Sequence, residues 1–97
     1  MGEARLPEPR FPLGQTVATP GALEAICTNQ QTPLEFFLRH RTGDWGDTDA
    51  DDQERNEEAL KDGSRIFSVY SLRDGTRIYV ITEADRSATT ILLPEEY

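Results

Sequence analysis

The chain has 97 residues, of which 36% are hydrophobic and 29% are charged, and it carries a formal net charge of −8. Its length fits one domain, and its composition excludes an intrinsically disordered chain. No apolar run approaches the roughly 20 residues that span a bilayer, and the basic-then-apolar start of a secretory signal is missing, so we expect a cytoplasmic protein with no membrane role.

The N-terminal segment of residues 1–13 contains three prolines and no periodic pattern. We expect it to be a flexible lead-in to a single domain that spans residues 14–97. It should become ordered only if Phe11 and Leu13 dock on the core. Residues 14–18 are predicted to form a short edge strand.

A first helix is predicted to begin at Thr19, whose hydroxyl can cap it while Pro20 takes the first helical position. Apolar side chains then recur at helical spacing on one face, namely Ala22, Leu23, Ile26 and Cys27. Cys27 is the only cysteine and is expected to be a small buried hydrophobe. A lone cysteine excludes an internal disulfide and a multi-cysteine metal site.

A second helix is predicted to begin at Thr32, which can form a capping box with Glu35 and is followed by Pro33 at the first helical position. Its apolar face is predicted to consist of Leu34, Phe37 and Leu38, with Phe36 at the margin. The helix should end by Gly43, after three basic residues that complement the negative end of the helix dipole.

The loop after the second helix holds the only tryptophan, Trp45, which we expect to anchor the helices on the sheet. Asp47 or Thr48 is then predicted to cap a third helix. That helix should run to about Lys61 and end at Gly63. Its apolar residues are only Ala50, Ala59 and Leu60. It should therefore lie on the rim of the domain with a solvated acidic face.

The last third of the chain is predicted to form β-strands, because β-branched and aromatic residues alternate along it. Strands at 65–73 and 76–82 form a hairpin. Asp74 and Gly75 are expected to make its two-residue turn, since both positions tolerate positive φ. A third strand at 89–93 follows a polar turn. The expected fold is α+β, with two or three helices packed on one face of a three-stranded antiparallel sheet, or of a four-stranded one if the edge strand joins.

The negative charge is concentrated in residues 44–62, which hold nine acids and two basic residues and so carry −7 of the net −8. Part of this run matches a calcium-binding loop, with possible ligands at Asp47, Asp49, Asp51 and Glu58. The loop pattern requires glycine for its sharp turn where this chain has Asp52. We therefore expect no metal site.

The same acidic run predicts a recognition surface. A field of carboxylates repels nucleic-acid backbones and attracts basic protein surfaces, and it can imitate the phosphates of a duplex. The residues expected to form this surface are Asp44, Trp45, Asp47, Asp49, Asp51, Asp52, Glu54 and Glu58. The alternative is a helix face whose carboxylates interact only with water.

A second candidate site is the polar turn at residues 82–87, which combines two carboxylates, an arginine and hydroxyl groups. A small hydrolase or transferase could use Glu83, Asp85 and Arg86 there, with His40 as the base. The alternative is a turn whose side chains hydrogen-bond their own backbone. The chain lacks a phosphate-binding glycine loop, a nucleophile elbow and a metal-binding histidine pair, so we expect a non-enzymatic protein without a cofactor.

A third hypothesis is nucleic-acid binding by the sheet through Arg65, Arg77 and Tyr79, which combine cationic and stacking side chains. The net charge of −8 opposes this hypothesis, because the phosphate backbone of a nucleic acid is also negative. Direct nucleic-acid binding is therefore disfavoured, and a protein partner with a basic surface is expected.

Three strings of the sequence carry a family resemblance: FPLGQTVATPGALEA, RHRTGDWGD and ITEADRSATTILLPEEY. Over residues 11–97 the chain resembles a family of small proteins carried by bacterial plasmids, phages and integrative elements. Relatives are sometimes labelled as a type I restriction methylation subunit, but this chain lacks the cofactor-binding glycine loop and the Asn-Pro-Pro-aromatic motif that a methyltransferase needs. The resemblance implies association with mobile elements, where small acidic proteins often modulate host defence or plasmid upkeep. Together with the acidic run, it leads us to expect an interaction protein that modulates a host nucleic-acid-handling or defence enzyme.

Overall fold

A computed structural model of the chain describes residues 8–97, which fold as an α+β domain and confirm the expected class. In chain order the elements are β1 (Gln15–Ala18), α1 (Pro20–Thr28), α2 (Pro33–Arg41), α3 (Ala50–Asp62), β2 (Ile66–Ser71), β3 (Arg77–Thr82), β4 (Ala88–Leu92) and a short 3₁₀ helix (Pro94–Glu96). None of the described helices has the length and hydropathy to cross a bilayer.

The four strands form one sheet in the order β1-β4-β3-β2. The meander of β2, β3 and β4 is antiparallel as predicted, with Val69 opposite Tyr79 and Val80 opposite Ile91. The edge strand also forms, but β1 pairs with β4 in parallel, so the expectation of a fully antiparallel sheet is wrong for this strand. Alternation of side chains indicates which faces a strand presents, and it carries no information about the direction of the strand's partner.

The hairpin between β2 and β3 has a three-residue loop, so the predicted two-residue turn is wrong. The amide of Leu72 donates to the carbonyl of Thr76 at 2.7 Å, and the amide of Gly75 donates to the carbonyl of Leu72 at 2.9 Å. Of the three loop residues 73–75, only Gly75 takes a positive φ, of 90°. Asp74 instead accepts a hydrogen bond from the amide of Thr76 on its carboxylate, which closes the turn with a side chain.

Helices α1 and α2 pack on one face of the sheet and form the main core. The buried members of this core are Ala22, Ile26, Phe36, Phe37, Tyr70, Leu72, Ile78, Val80 and Ile91. Phe36, predicted at the margin of α2, is fully buried, whereas Leu34 is 62% exposed. Cys27 is exposed, which contradicts its predicted burial. Helices of nine residues bury a narrow stripe, and the helical spacing did not specify which edge of that stripe faces the sheet.

The helix caps agree with the sequence only in part. Thr19 caps α1 as predicted, because its hydroxyl accepts from the amide of Ala22. Thr32 makes no side-chain cap, and Glu35 accepts from the Gln31 side chain, so the predicted capping box of α2 is wrong. Asp49, rather than Asp47 or Thr48, caps α3. The three residues that could have capped α3 are all good N-caps, and the sequence does not rank them.

A second, smaller core lies at the β2 end of the sheet and consists of Phe11, Trp45, Ala59 and Ile66. The Phe11 ring packs edge-on against His40 at 5.2 Å between centroids. Phe11 therefore docks on the core, which is the condition under which the end of the lead-in is expected to be ordered. Residues 1–7 of the predicted lead-in lie outside the described residues.

The outer edge of β2 is closed by two segments, and one of them is α3. The Asn56 side chain donates to the Phe67 carbonyl at 2.7 Å and accepts from the Phe67 amide at 3.0 Å, so it pairs as a strand would. Gly46 forms an isolated parallel bridge to Val69. Helix α3 thus lies along the rim of the sheet, which leaves its outer side in solvent.

Candidate functional site

Helix α3 presents an acidic ridge to solvent, which we define as Asp51, Glu54 and Glu58. On the opposite side of the helix, Asn56 and Ala59 are buried against β2 and the smaller core. The three ridge residues are spaced by three and four positions and therefore share one face of the helix. All three are exposed, and no basic side chain of residues 8–97 forms a salt bridge with them.

The other predicted binding acids have structural partners. Asp44 accepts from the Arg39 side chain at 2.7 Å and from the Gly46 amide. Burial alone would raise the pKa of Asp44, but the hydrogen bond and charge of Arg39 outweigh it and lower that pKa. Asp47 accepts from the Ser71 hydroxyl at 2.7 Å. These two carboxylates hold the loop before α3 in place.

Asp49 and Asp52 also lie outside the ridge. Asp49 accepts from the amide of Asp52 and so caps the start of α3. The Asp52 side chain is half-buried and points towards a groove on the other side of the helix. The structure therefore divides the predicted acidic surface into a solvent-facing ridge and a set of carboxylates with local roles.

Trp45, predicted both as an anchor and as part of the binding surface, has a buried ring that is 5% exposed. Its ring stacks on Phe11 at 6.2 Å and meets His40 edge-on at 6.0 Å. Its indole N–H donates to Glu57 at 3.1 Å, and Glu57 is also held by Arg10 through two hydrogen bonds. The ring of Trp45 therefore fixes α3 to the smaller core and has little exposed surface.

The calcium-loop pattern does not fold as a loop, since its last nine residues, 50–58, lie within α3. Within the described part of the chain, no group of three or more His, Cys, Asp or Glu side chains is placed to hold a metal ion. The pattern's four ligand positions do not converge, because Asp51 and Glu58 lie on the outer ridge of α3, whereas Asp49 caps the helix and Asp47 accepts from Ser71 in the preceding loop.

His40 is fully buried at the centre of a chain of hydrogen bonds. Its Nδ1 lies 2.6 Å from Ser68 Oγ and its Nε2 lies 2.9 Å from Thr82 Oγ1. Thr82 Oγ1 lies 2.6 Å from Thr89 Oγ1, and Thr89 donates to the carbonyl of Leu13 at 2.7 Å. These hydrogen bonds link α2 to all three strands of the meander and to the segment before β1.

The last hydrogen bond of this network, from Thr89 to Leu13, determines which ring nitrogen of His40 carries the proton. A carbonyl oxygen can only accept a hydrogen bond, so the Thr89 hydroxyl donates its proton to the carbonyl of Leu13. The oxygen of Thr89 must then accept a hydrogen bond from the hydroxyl of Thr82. Thr82 must then accept from Nε2–H of His40, which leaves Nδ1 to accept from Ser68. Burial lowers the pKa of His40 to about 3, which agrees with a neutral ring.

The predicted catalytic turn at residues 82–87 uses most of its polar groups on backbone. Arg86 has a positive φ of 60° and donates to the carbonyls of Ala59 and Ser64, as well as to carbonyls of its own turn. Asp85 accepts from the Ser87 amide, and hydrogen bonds from Ser87 lower the pKa of Asp85. Arg86 therefore clips the end of α3 to the β3–β4 turn.

The four predicted catalytic residues do not converge. His40 touches the turn only through Thr82 and is enclosed by aromatic rings, whereas Glu83 and Asp85 are exposed. Neither of the two described cavities is lined by any of the four. A general base must reach the proton that it abstracts, and the buried ring of His40 has no such access in this structure.

A feature that the sequence did not indicate is a groove on the rear face of the sheet, the face turned away from α1 and α2. This rear groove has a volume of about 360 Å³ and is lined by Phe67 and Tyr79 from the sheet, by Tyr97, and by Arg55, Arg65 and Asp52 at its rim. Phe67 and Tyr79 share the rear face of the sheet, whereas Arg55 and Tyr97 come from distant segments of the chain.

The rear groove brings together two of the three residues of the nucleic-acid hypothesis. Arg65 and Tyr79 line it, whereas Arg77 does not. The second cationic side chain of the groove is Arg55, in place of the predicted Arg77. The rings of Phe67 and Tyr79 lie 4.8 Å apart, and Tyr97 meets Tyr79 edge-on at 5.8 Å. The rear groove thus combines an aromatic floor with two arginines.

No protein-family model, curated protein or solved structure matches this chain. The function must therefore be inferred from the arrangement of the side chains. Two surfaces are candidates for a partner: the acidic ridge on the outer side of α3 and the rear groove beside it.

Proposed function

We propose that this chain is a non-enzymatic interaction protein that binds a basic surface of a partner protein through the acidic ridge of α3. The observation that carries the proposal is the ridge itself, since Asp51, Glu54 and Glu58 are exposed and, among residues 8–97, make no salt bridge. Carboxylates that form no salt bridge with the described residues can pair with a cation of a partner.

The rigidity of α3 supports this role. Asn56 pairs with the edge of β2, Trp45 donates to Glu57, and the carbonyl of Ala59 accepts from Arg86. The helix is therefore attached to the domain along both of its inner flanks. A partner that binds the ridge loses little of its binding energy to ordering the helix, because the helix is already formed and attached.

The spacing of the ridge supports a protein partner whose basic surface normally binds nucleic acid. From Asp51 to Glu58 the helix rises about 10 Å, so the ridge carries roughly one negative charge per 5 Å. One strand of duplex DNA carries one phosphate per about 3.4 Å of axis. The ridge is thus a sparser version of a phosphate row, and arginines and lysines of a nucleic-acid-binding surface could pair with it.

The family resemblance suggests where such a partner would be found. Proteins of mobile elements meet host enzymes that handle or restrict nucleic acids, and those enzymes carry basic grooves. We therefore infer that the partner is a host nucleic-acid-handling or defence enzyme, whose groove the ridge would occupy.

A small hydrolase or transferase is the less supported function. It needs a base and an orienting partner in one cleft. The base candidate His40 is buried, and Arg86 is engaged by backbone carbonyls. Glu83 and Asp85 alone offer two exposed carboxylates on a turn.

The proposal is tested with a ridge variant, Asp51→Asn, Glu54→Gln and Glu58→Gln, which removes three charges and preserves side-chain shape. The tagged wild-type protein is used to capture partners from cells of a host, and each captured protein is then purified and titrated with wild type and variant. We expect a basic partner whose affinity falls at least about 10-fold for the ridge variant, because close charge pairs across an interface contribute more than about 1.4 kcal/mol.

A control variant removes the same number of charges elsewhere, at Glu24→Gln, Glu83→Gln and Glu95→Gln, all of which are exposed. It should bind as wild type does. Duplex DNA should compete with the chain for the partner's basic surface. Equal affinity of wild type and ridge variant for every captured protein would refute the proposal, as would an equal loss in the control variant.

A further inference from the structure

We propose that the rear groove binds a nucleotide, with the base against Tyr79 and Tyr97 and the phosphate between Arg55 and Arg65. This site is separate from the acidic ridge and does not depend on the function proposed above. The ligand chemistry is shared by a free nucleotide and by one unit of a single strand, and the two sources are distinguished below.

The floor of the rear groove has the chemistry that a planar ring needs. Phe67, Tyr79 and Tyr97 form a cluster in which each ring meets the next at 60° or more, with centroids 4.8 to 6.4 Å apart. Tyr97 is 69% exposed, so a large part of its ring is uncovered. Stacking on aromatic side chains is the usual way in which proteins hold an unpaired base.

The rim of the rear groove has the chemistry that a phosphate needs. Arg55 and Arg65 are both exposed, and neither forms a salt bridge with a carboxylate of the described chain, 8–97. In the same part of the chain, Arg10, Arg39 and Arg86 are each engaged by an acid or by carbonyl groups. Two free guanidinium groups at one groove favour an anion, and their planar donors match phosphate oxygens.

The size and charge of the groove limit the ligand. A volume of about 360 Å³ lies at the lower end of the range for small-molecule sites and suits one nucleotide better than a folded partner. Of the side chains that line it, Arg55 and Arg65 are cationic and Asp52 is anionic. The acidic ridge on the same helix would repel the long phosphate row of a duplex, which favours a short ligand.

Binding is measured by calorimetric titration with adenosine 5′-monophosphate, adenosine and a short single-stranded RNA. We expect the monophosphate to bind, with its affinity reduced at least about 10-fold by the double variant Arg55→Gln, Arg65→Gln. Adenosine should bind more weakly and should not respond to that variant. Tyr79→Leu should weaken the binding of both the monophosphate and adenosine. Asp52→Asn should strengthen the binding of the monophosphate, because it removes a negative charge that repels the phosphate.

Arg73→Gln is the matched control, because Arg73 is exposed in the hairpin loop and does not line the groove. Circular dichroism checks that each variant is folded. If the RNA binds with the same pattern of variants and the monophosphate does not, the ligand is a unit of a single strand. The proposal is overturned if neither the monophosphate nor the RNA binds. It is also overturned if Arg73→Gln weakens binding as much as the groove variants do.

Discussion

His40 shows how a residue that is reactive in other proteins can serve only the fold. Its two ring nitrogens connect Ser68 to Thr82, and the chain of hydroxyls continues to the carbonyl of Leu13. The ring must be neutral to accept from Ser68. A buried polar network of this kind stabilises one arrangement of strands because every member has its partner.

The neutral state of His40 predicts a pH dependence of stability. Its pKa is about 3 in the folded protein and near 6.5 in the unfolded chain, so only the unfolded chain gains a proton between those values. The stability contributed by His40 is complete above about pH 6.5 and is lost as the pH falls towards 3. Between about pH 7 and pH 5 the loss should be about 2 kcal/mol.

This loss is measured by urea unfolding at several pH values, with Trp45 fluorescence as the signal. His40→Gln is the comparison, because glutamine can donate and accept but does not titrate. His40 is the only histidine, so the difference in slope between wild type and variant in this window belongs to it. Identical pH slopes for the two proteins would contradict a neutral buried His40.

The sequence identified His40 as noteworthy for the wrong reason. A lone histidine near the end of a helix has the same local pattern whether it faces a cleft or the core. The partners that decide its role, Ser68, Thr82 and Thr89, are 28 to 49 positions away in the chain and arrive only through strand pairing. The same holds for Arg86, whose carbonyl partners at Ala59 and Ser64 belong to another element.

At the scale of elements, the edge of β2 depends on one side chain of α3. Asn56 is buried and satisfies both the amide and the carbonyl of Phe67. Asn56→Leu would leave two part-buried backbone groups without these partners, at a cost of about 1–2 kcal/mol each. We expect a total loss of about 2–4 kcal/mol in the free energy of unfolding, even though leucine favours a helix more than asparagine does.

Urea denaturation gives this loss, and hydrogen exchange at the Phe67 amide shows where it acts. Glu54→Gln on the outer side of α3 is the control and should change stability by less than about 0.5 kcal/mol. If Asn56→Leu left both the unfolding midpoint and the exchange of Phe67 unchanged, the edge pairing would not contribute to stability.

The loop that precedes α3 closes the same edge through a glycine. Gly46 has a φ of 73°, and a β-carbon there would overlap the carbonyl of Val69 and the ring of Tyr70. Gly63, after α3, has a similar φ of 80° but faces open space. The two positions therefore carry the same backbone cost for alanine and differ only in the room for its methyl group.

We expect Gly63→Ala to lower the free energy of unfolding by about 1–2 kcal/mol, the usual cost of an L-residue in the left-handed region. Gly46→Ala should cost at least about 2 kcal/mol more, because the loop must leave the edge of β2 to avoid the overlap. Thermal and urea unfolding of the two variants measure the difference. Equal losses would mean that the loop does not depend on close contact with Val69.

Individual strands and helix ends were predicted better than the contacts between elements. The alternation of Ile78, Tyr79, Val80 and Ile81 identified both faces of β3, and the left-handed Gly63 ended α3 as expected. The parallel pairing of β1 and the closure of the β2 edge could not be read in this way. They depend on contacts between segments that are far apart in the chain, and a local pattern is compatible with several such pairings.

At the scale of the whole molecule, α3 contributes residues to two separate surfaces, the acidic ridge and the rear groove. Its outer side carries the acidic ridge, and its inner flank supplies Arg55 and Asp52 to the rear groove. The sequence located the acidic run but treated it as one surface. It did not show the groove, whose lining comes from four separate segments, so no motif of adjacent residues marks it.

The net charge of −8 predicts that salt stabilises the domain, and that the ridge accounts for a large part of the effect. Two unit charges about 10 Å apart in water repel by about 0.4 kcal/mol. At about 0.01 M salt the screening length is about 30 Å and this repulsion persists, whereas at about 0.15 M it is about 8 Å and most of it is screened. Summed over the ridge and its acidic neighbours, wild type should gain on the order of 1 kcal/mol in stability.

The ridge variant, Asp51→Asn, Glu54→Gln and Glu58→Gln, should gain clearly less than wild type over the same change in salt. The control variant, Glu24→Gln, Glu83→Gln and Glu95→Gln, loses equal charge from dispersed positions and should keep most of the wild-type gain. Urea midpoints at the two salt concentrations provide the measurement. The repulsion that salt relieves in the free protein is the same repulsion that a basic partner would relieve on binding, so equal salt gains for the ridge variant and wild type would weaken the proposed role of the ridge before any partner is known.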